Sequence, residues 1–413
     1  MSAVAILHYA GPPYVGGVEI TMAAHGRVLT ALGWSVRMVV GKGGDAGPGV
    51  EVRVLPELGS RGDVVERTSR ELAARIVSAE FLALCDRLAT WLDDALAGCD
   101  ALMVHNVLSL HKNLAFTAAL RRLHDAGRLP PILAWCHDFA WHDPLYLPEL
   151  HPGYPWDLLR EAWPGVRYVV VSEDRRGILA GLLGLAPEQI AVVTPGVDVQ
   201  GLLKLEPETA GLVERLGLLE AAPLLLLPAR ITRRKNIELA VAIAGAMRHQ
   251  GAEPRLVVTG PPGPHNPTNA AYLDGLLALR RDTGAEGSTV FLYEVFTDPQ
   301  GQPRPVSDAM VADFFHLADG LLFPSRYEGF GIPVLEAGLS GIPIFCSDIP
   351  PLRASAGPAA LYFGLEERPD RIAERILTAL AADHRYLLRR RVRTTYTWEA
   401  IVRRHIVPLL AGA

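Results

Sequence analysis

Along the chain, short β-branched or aliphatic runs alternate with longer stretches in which apolar residues recur at helical spacing. That alternation predicts parallel sheets covered by helices. In the first half, strands are predicted at Val4–His8, Val36–Val40, Val50–Leu55, Ala101–His105, Ile132–Cys136, Arg167–Val171 and Ile190–Val193. Helical patterns lie between most of them, including a long one from about Val64 to Leu96. In the second half, strands are predicted at Pro223–Pro228, Arg255–Thr259, Thr289–Tyr293, Gly320–Pro324, Ile342–Cys346 and Ala360–Phe363.

The periodicity breaks near Pro195–Leu205, where TPGVDVQGLLKLEPE brings in Pro and Gly. The expected organisation is therefore two doubly wound α/β domains, residues 1–198 and 199–395. A last helical stretch, 396–413, follows them. Its Ile401, Val402, His405, Ile406, Leu409 and Leu410 form an apolar stripe of helical period. Open sheets of this kind place their ligand crevices at the carboxyl ends of the strands, so function is expected between the two halves.

A chain of 413 residues exceeds what one hydrophobic core serves, which agrees with two domains. Hydrophobic residues at 49% and charged residues at 21% are the balance of an ordinary globular protein, and the net charge of −5 does not favour nucleic acid. Seven arginines between Arg385 and Arg404 could meet an anionic surface, but a solvated helix face is the preferred reading, so peripheral membrane contact is not favoured. Cys85, Cys99, Cys136 and Cys346 are scattered without metal-ligand spacing, and the N-terminal run lacks the cationic lead of a secretory signal. No apolar run approaches the ~20 residues of a membrane-spanning helix. The expectation is a cytoplasmic protein, with oligomeric state unread.

Four stretches carry candidate chemistry. In PSRYEGFGIPVLEAGLSGIP (324–343), a strand ends, a Gly-flanked loop follows, and Pro333 marks the first turn of a helix. Free amides and the positive helix end at Gly331–Val334 make an anion site, and Gly329, Phe330, Gly331 and Ile332 are candidate substrate-binding residues. Glu328 in the loop and Glu336, expected in the first helical turn, suit sugar and ribose hydroxyls. In LLLLPARITRRKNIELA (224–240), a strand delivers Arg230 and then Lys235, two cations that can clamp a diphosphate; Arg233 and Arg234 make the run resemble any basic loop.

In the opening loop, Gly16 and Gly17 let backbone amides approach a phosphate, but the GxGxxG fingerprint is absent and a nicotinamide cofactor is not expected. In CHDFAWHDP (136–144), His137 and Asp138 follow a strand end. No Asp-x-Asp pair occurs in the chain, so neither a metal nor any other cofactor is expected. His105, Asn106, His111 and Lys112 could hold an acceptor, although helix capping and surface charge are the preferred reading for them.

Taken together, GGVE, HDF, VSE (171–173), TPGVD (194–198), PAR-x4-K (228–235), Glu-x7-Glu (328–336) and TWEAIV (397–402) resemble glycosyltransferase family 4, over nearly the full chain. The resemblance implies the GT-B fold, a terminal helix crossing back to the first domain, and transfer of a hexosyl group from a nucleotide diphospho-sugar to a hydroxyl acceptor with retention of configuration. It places Glu336 on the ribose, Glu328 on a donor-sugar hydroxyl, and His137 beside the transferred sugar. It also puts Arg230, Lys235 and the amides near Gly17 and Gly331 on the diphosphate. Residues 294–307 read as an insertion near the expected nucleobase loop, Pro195 stands where many relatives have Asn, and His265–Asn269 is an unusual segment. A nucleotide-sugar epimerase, a phosphorylase with lysine-bound pyridoxal phosphate, and a non-catalytic nucleotide-sugar binder are the rival classes.

Overall fold

The computed structural model describes residues 2–262 and 268–412, so most of the His265–Asn269 segment lies outside the described residues; a helix begins at Thr268. The chain divides into two compact units, Met1–Val197 with Tyr396–Ala413, and Asp198–Thr395.

The first unit is built on seven strands: β1 (Ala3–His8), β2 (Ser35–Val40), β3 (Val50–Val54), β4 (Ala101–His105), β5 (Ile132–Cys136), β6 (Arg167–Val170) and β7 (Ile190–Val192). They form one parallel sheet in the order β3-β2-β1-β4-β5-β6-β7. The second unit holds β8 (Leu224–Leu227), β9 (Arg255–Val258), β10 (Thr289–Phe291), β11 (Gly320–Phe323), β12 (Ile344–Ser347) and β13 (Ala360–Phe363). Its sheet is also parallel, in the order β10-β9-β8-β11-β12-β13. The central strands β4, β5, β8, β11 and β12 are buried at every residue, as expected where helices cover both faces.

In each sheet the order reverses once, between β1 and β4 and between β8 and β11. At such a point the chain leaves the two neighbouring strands in opposite directions, and the gap above their carboxyl ends stays uncovered.

Two local readings are corrected. The helix expected over Val64–Leu96 is two helices, Asp63–Ala73 and Ala79–Ala95. The break follows from Arg75, at φ 62°, and from Ser78, whose hydroxyl accepts the Phe81 amide and so starts a new helix. The terminal segment runs from Trp398 to Ala411 through a π-turn at Val402–Ile406. Pro408 lacks the N–H that a regular helix needs there, and the wider turn absorbs the gap. The added residue shifts the stripe: Trp398, Ile401, Val402, Ile406 and Leu410 are buried, whereas His405 faces outward.

That stripe completes one face of the first unit's core, against Val4, Met38, Met103, Leu133, Trp135 and Val169. Val197 bridges Thr397, its amide donates to the Tyr396 carbonyl at 2.7 Å, and a Cβ on Gly196 would come within 2.7 Å of the Trp398 ring. Trp398→Ala should therefore cost about 3–5 kcal/mol, as a buried aromatic does when truncated. Ending the chain before Tyr396 should lower solubility and melting temperature further. Calorimetry of both forms is the check, and an unchanged transition would contradict the packing argument.

Candidate active site

In the second unit, predicted residues meet at the β8/β11 reversal. The loops after β8 and β9 run on together beyond the sheet: the Ile231 amide donates to the Pro261 carbonyl at 2.9 Å and the Gly260 amide to Ala229 at 3.1 Å. A Cβ on Gly260 would lie 2.4 Å from the Ala229 oxygen, so only glycine permits this approach. The stitching carries Arg230 to the surface, exposed and with no ion pair or hydrogen bond among the described residues. A guanidinium in that position is available for an anion.

Lys235 differs. It lies in a 3₁₀ turn, Arg233–Lys235, ahead of the Ile237–His249 helix, and is buried. Its ammonium donates to Glu328 Oε1 at 2.6 Å and sits 4.7 Å from the centre of the Phe323 ring. The side chains of Lys235 and Glu328 are only 10% and 8% exposed. Arg234 adds a second cation 3.6 Å from Glu328, and the Arg326 amide donates to the Arg234 carbonyl, tying the loop after β11 to the loop after β8. Burial lowers the Lys235 pKa, and the hydrogen bond and charge of Glu328 oppose that shift. Lys235 is thus no ordinary cation of a basic loop, because the turn folds it under its own strand end.

Gly329 and Phe330 follow, both exposed. Gly331, at φ 94°, is the N-cap of the Ile332–Leu339 helix, and a Cβ there would strike Leu352 at 2.5 Å. No side chain caps this helix, which leaves its start open to a ligand. Glu336 is the fifth helical residue, one turn later than expected, and is exposed. Ile332 and Leu339, one turn before and after it on the helix, are exposed as well.

In the first unit, histidines collect at the β1/β4 reversal. His8 ends β1, His105 ends β4 and His137 follows β5. His8 Nδ1 lies 2.8 Å from the His105 carbonyl, and His105 Nδ1 lies 3.1 Å from His137 Nε2. Asn106, buried and at φ 58°, accepts the His137 amide on Oδ1 at 2.7 Å and the Asp138 amide at 3.3 Å, while its Nδ2 donates to the exposed Asp138 carboxylate at 3.3 Å. His25 lies fully buried beneath, with ring centres of Trp135, Trp398 and His105 at 4.8, 5.6 and 5.7 Å.

Burial pushes His25 down to about 3 and His137 to about 4 and holds His105 well below 6.5; neighbouring histidine charges act in the same direction. Burial thus favours the neutral form throughout the cluster. Among the described residues no group of three or more His, Cys, Asp or Glu side chains is placed to hold a metal ion.

Gly16 is the N-cap of the Gly17–Ala31 helix, and the Glu19 carboxylate folds back over it, within 2.3 Å of where a Cβ would stand. The space at Gly17 is open. His111 pairs with Glu149 at 2.8 Å and Lys112 lies over the Tyr146 ring, while the helix cap is the neighbouring Asn113. Sequence reasoning missed His8 and His25 and, for His105 and Asn106, preferred a structural role to acceptor binding. Three histidines at three strand ends were visible, but that β1, β4 and β5 are neighbours was not.

A model described as Glycosyltransferase Family 4 matches residues 15–200, and one described as Glycosyl transferases group 1 matches residues 212–395. A D-inositol 3-phosphate glycosyltransferase of Kineococcus radiotolerans is 31% identical over 46% of this chain and 41% of its own length. The chain thus spans about two-fifths of that relative. A mannosylglucosylglycerate synthase of Thermotoga maritima is 24% identical over 88% of this chain and 85% of its own. Among solved structures, sucrose-phosphate synthase from Thermosynechococcus elongatus is 18% identical, covers 100% of both chains and superposes with a TM-score of 0.38.

Two outcomes follow from the electrostatics. Lys235→Met leaves the Glu328 carboxylate buried beside Arg234 alone and should cost towards the lower end of about 3–5 kcal/mol. Adding Glu328→Leu should recover most of that loss, and Arg230→Ala should stay within about 0.5 kcal/mol of the parent in urea unfolding. The histidines act through pH. Unfolded, each takes up a proton below 6.5; folded, His25 and His137 stay neutral down to about 3 and about 4. Stability is therefore complete above 6.5 and falls as pH drops towards 4, by about 1.4 kcal/mol per pH unit for each histidine. His25→Leu should flatten the fall in melting temperature between about pH 6.5 and 4.5; an unaltered slope would mean that His25 is protonated in the fold.

Proposed function

The chain belongs to glycosyltransferase family 4, and on that premise we propose that it moves a hexosyl group from a nucleotide diphospho-sugar to a hydroxyl acceptor, retaining the anomeric configuration. The observation that carries this reading is the β8/β11 end of the second unit. A guanidinium at Arg230 without a partner among the described residues, the Lys235–Glu328 pair and an uncapped helix start at Gly331 share one end of the sheet there.

In the second unit, the donor's diphosphate takes its positive partners from Arg230, Lys235 and the amides at Gly331. Glu336 accepts hydrogen bonds from the ribose, and Glu328 from a hydroxyl of the transferred sugar. In the first unit, His137 is the residue that serves a sugar. In the transfer, the bond from the anomeric carbon to the phosphate oxygen breaks, the acceptor oxygen bonds the same carbon from the same face, and the acceptor proton passes to the departing phosphate. Charge grows on that phosphate as its bond breaks, so fixed cations stabilise the transition state more than the bound donor. Lys235 is held in advance by Glu328, which removes the cost of ordering its flexible stem when the donor arrives. With these cations supplying the charge and no Asp-x-Asp pair in the chain, the reaction needs no divalent metal.

The test is release of nucleoside diphosphate from a panel of UDP- and GDP-sugars with hydroxyl acceptors, in the presence of EDTA. The parent protein should turn over one donor class, and Arg230→Ala should lose ~10²–10³ in kcat with its melting temperature kept. Turnover that EDTA abolishes and Mg²⁺ restores would overturn the metal-independent reading. Near-normal kcat in Arg230→Ala would remove that residue from the diphosphate site.

A further inference from the structure

The first unit's histidines do more than suppress charge, because their hydrogen bonds constrain where each proton sits. His8 Nδ1 faces the His105 carbonyl, which can only accept, so His8 carries its proton on Nδ1. The next pair has two nitrogens 3.1 Å apart, His105 Nδ1 and His137 Nε2, and one of them must be the donor. The rings lie 28° from coplanar with centres 5.4 Å apart, the geometry of two imidazoles meeting edge to edge.

The other nitrogen of His105 decides between the two arrangements. His105 is 0% exposed, and its Nε2 is buried without a hydrogen-bond partner. Around it stand the Trp135 ring, stacked at 19°, and the His25 ring, and it makes no hydrogen bond to either. If His137 were the donor, the neutral His105 would carry its proton on Nε2 and bury an N–H with no acceptor. Orphaned buried N–H groups are rare, whereas an unused acceptor is tolerated more readily. With His105 as the donor through Nδ1, only a lone pair faces the aromatic wall. His137 then accepts on Nε2 and, being neutral, bears its proton on Nδ1. That Nδ1 is the ring atom of half-buried His137 without a partner among the described residues.

We propose that His105 is a positioning residue that locks His137 in its Nδ1–H form, so that His137 offers a ligand a fixed neutral hydrogen-bond donor rather than a base. Free neutral histidine in water prefers the Nε2–H form, so the fold reverses the intrinsic preference. Asn106 holds the backbone of the same turn, binding the amides of His137 and Asp138 to one oxygen, which keeps the ring at its partner. A donor of this kind meets an oxygen acceptor, such as a sugar hydroxyl or a phosphate oxygen, and takes no proton from it. The link to sugar transfer rests on the functional reading above; the proton position does not.

The experiment is two-bond ¹H–¹⁵N correlation of ring-labelled histidines in the full chain near neutral pH, with His137 assigned from His137→Asn. The expected pattern is that of Nδ1–H for His137 and of a donor Nδ1 for His105. An Nε2–H pattern at His137 in the parent protein overturns the proposal, and needs no variant to do so. His105→Phe keeps a ring on Trp135 but removes the donor; His137 should revert to Nε2–H, with kcat lowered more than the donor KM is raised. His105→Asn, whose Nδ2 stands near the lost Nδ1, should restore the Nδ1–H form in part. An unshifted His137 tautomer in His105→Phe also overturns the proposal. A locked tautomer together with full activity in His137→Ala would instead overturn the role of His137 in transfer.

Discussion

A parallel sheet whose strand order reverses leaves a gap at the reversal, since the two neighbouring strands send their chains to opposite faces. Each unit of this protein has one such gap, over β1/β4 and over β8/β11. The polar groups that the helices cannot cover collect there. Elsewhere the central strands are largely apolar and buried, and the ion pair at the amino ends of β8 and β11, Asp319–Arg393, is buried only as a pair.

The two gaps solve the same electrostatic difficulty in opposite ways. In the second unit charge is kept and compensated: the Lys235 ammonium and the Glu328 carboxylate are each too buried to stand alone, and each makes the other possible. Arg230, held out by the stitched loops after β8 and β9, needs no such partner because water solvates it. In the first unit charge is removed. Four histidines are packed among tryptophans, and burial holds all four below their ordinary pKa. A compensated pair yields a rigid charge and a neutral stack yields directed hydrogen bonds. Both are preorganised before any ligand binds.

The terminal segment links this chemistry to the fold. Trp398 closes the space over His25, so the residue that completes the first unit's core is also a wall of its histidine cluster. Pro408 and the π-turn it imposes set which residues of that segment turn inward.

By itself the sequence determined the local and periodic features. Strand runs, the Gly–Pro start of the Ile332–Leu339 helix, the parallel class of the sheets and the existence of an anion-suited loop all follow from residue type and spacing, which act over a few positions. Tertiary structure alone decided which loops are neighbours. Nothing along the chain says that Lys235 and Glu328, 93 residues apart, share one hydrogen bond, or that His105 and His137 meet across adjacent strands. The same holds for burial: a lysine after two arginines reads as solvated, and only the turn beneath β8 makes it a buried charge. Contacts of this kind depend on strand order, which is set by how the helices pack and leaves no mark on the sequence near either partner.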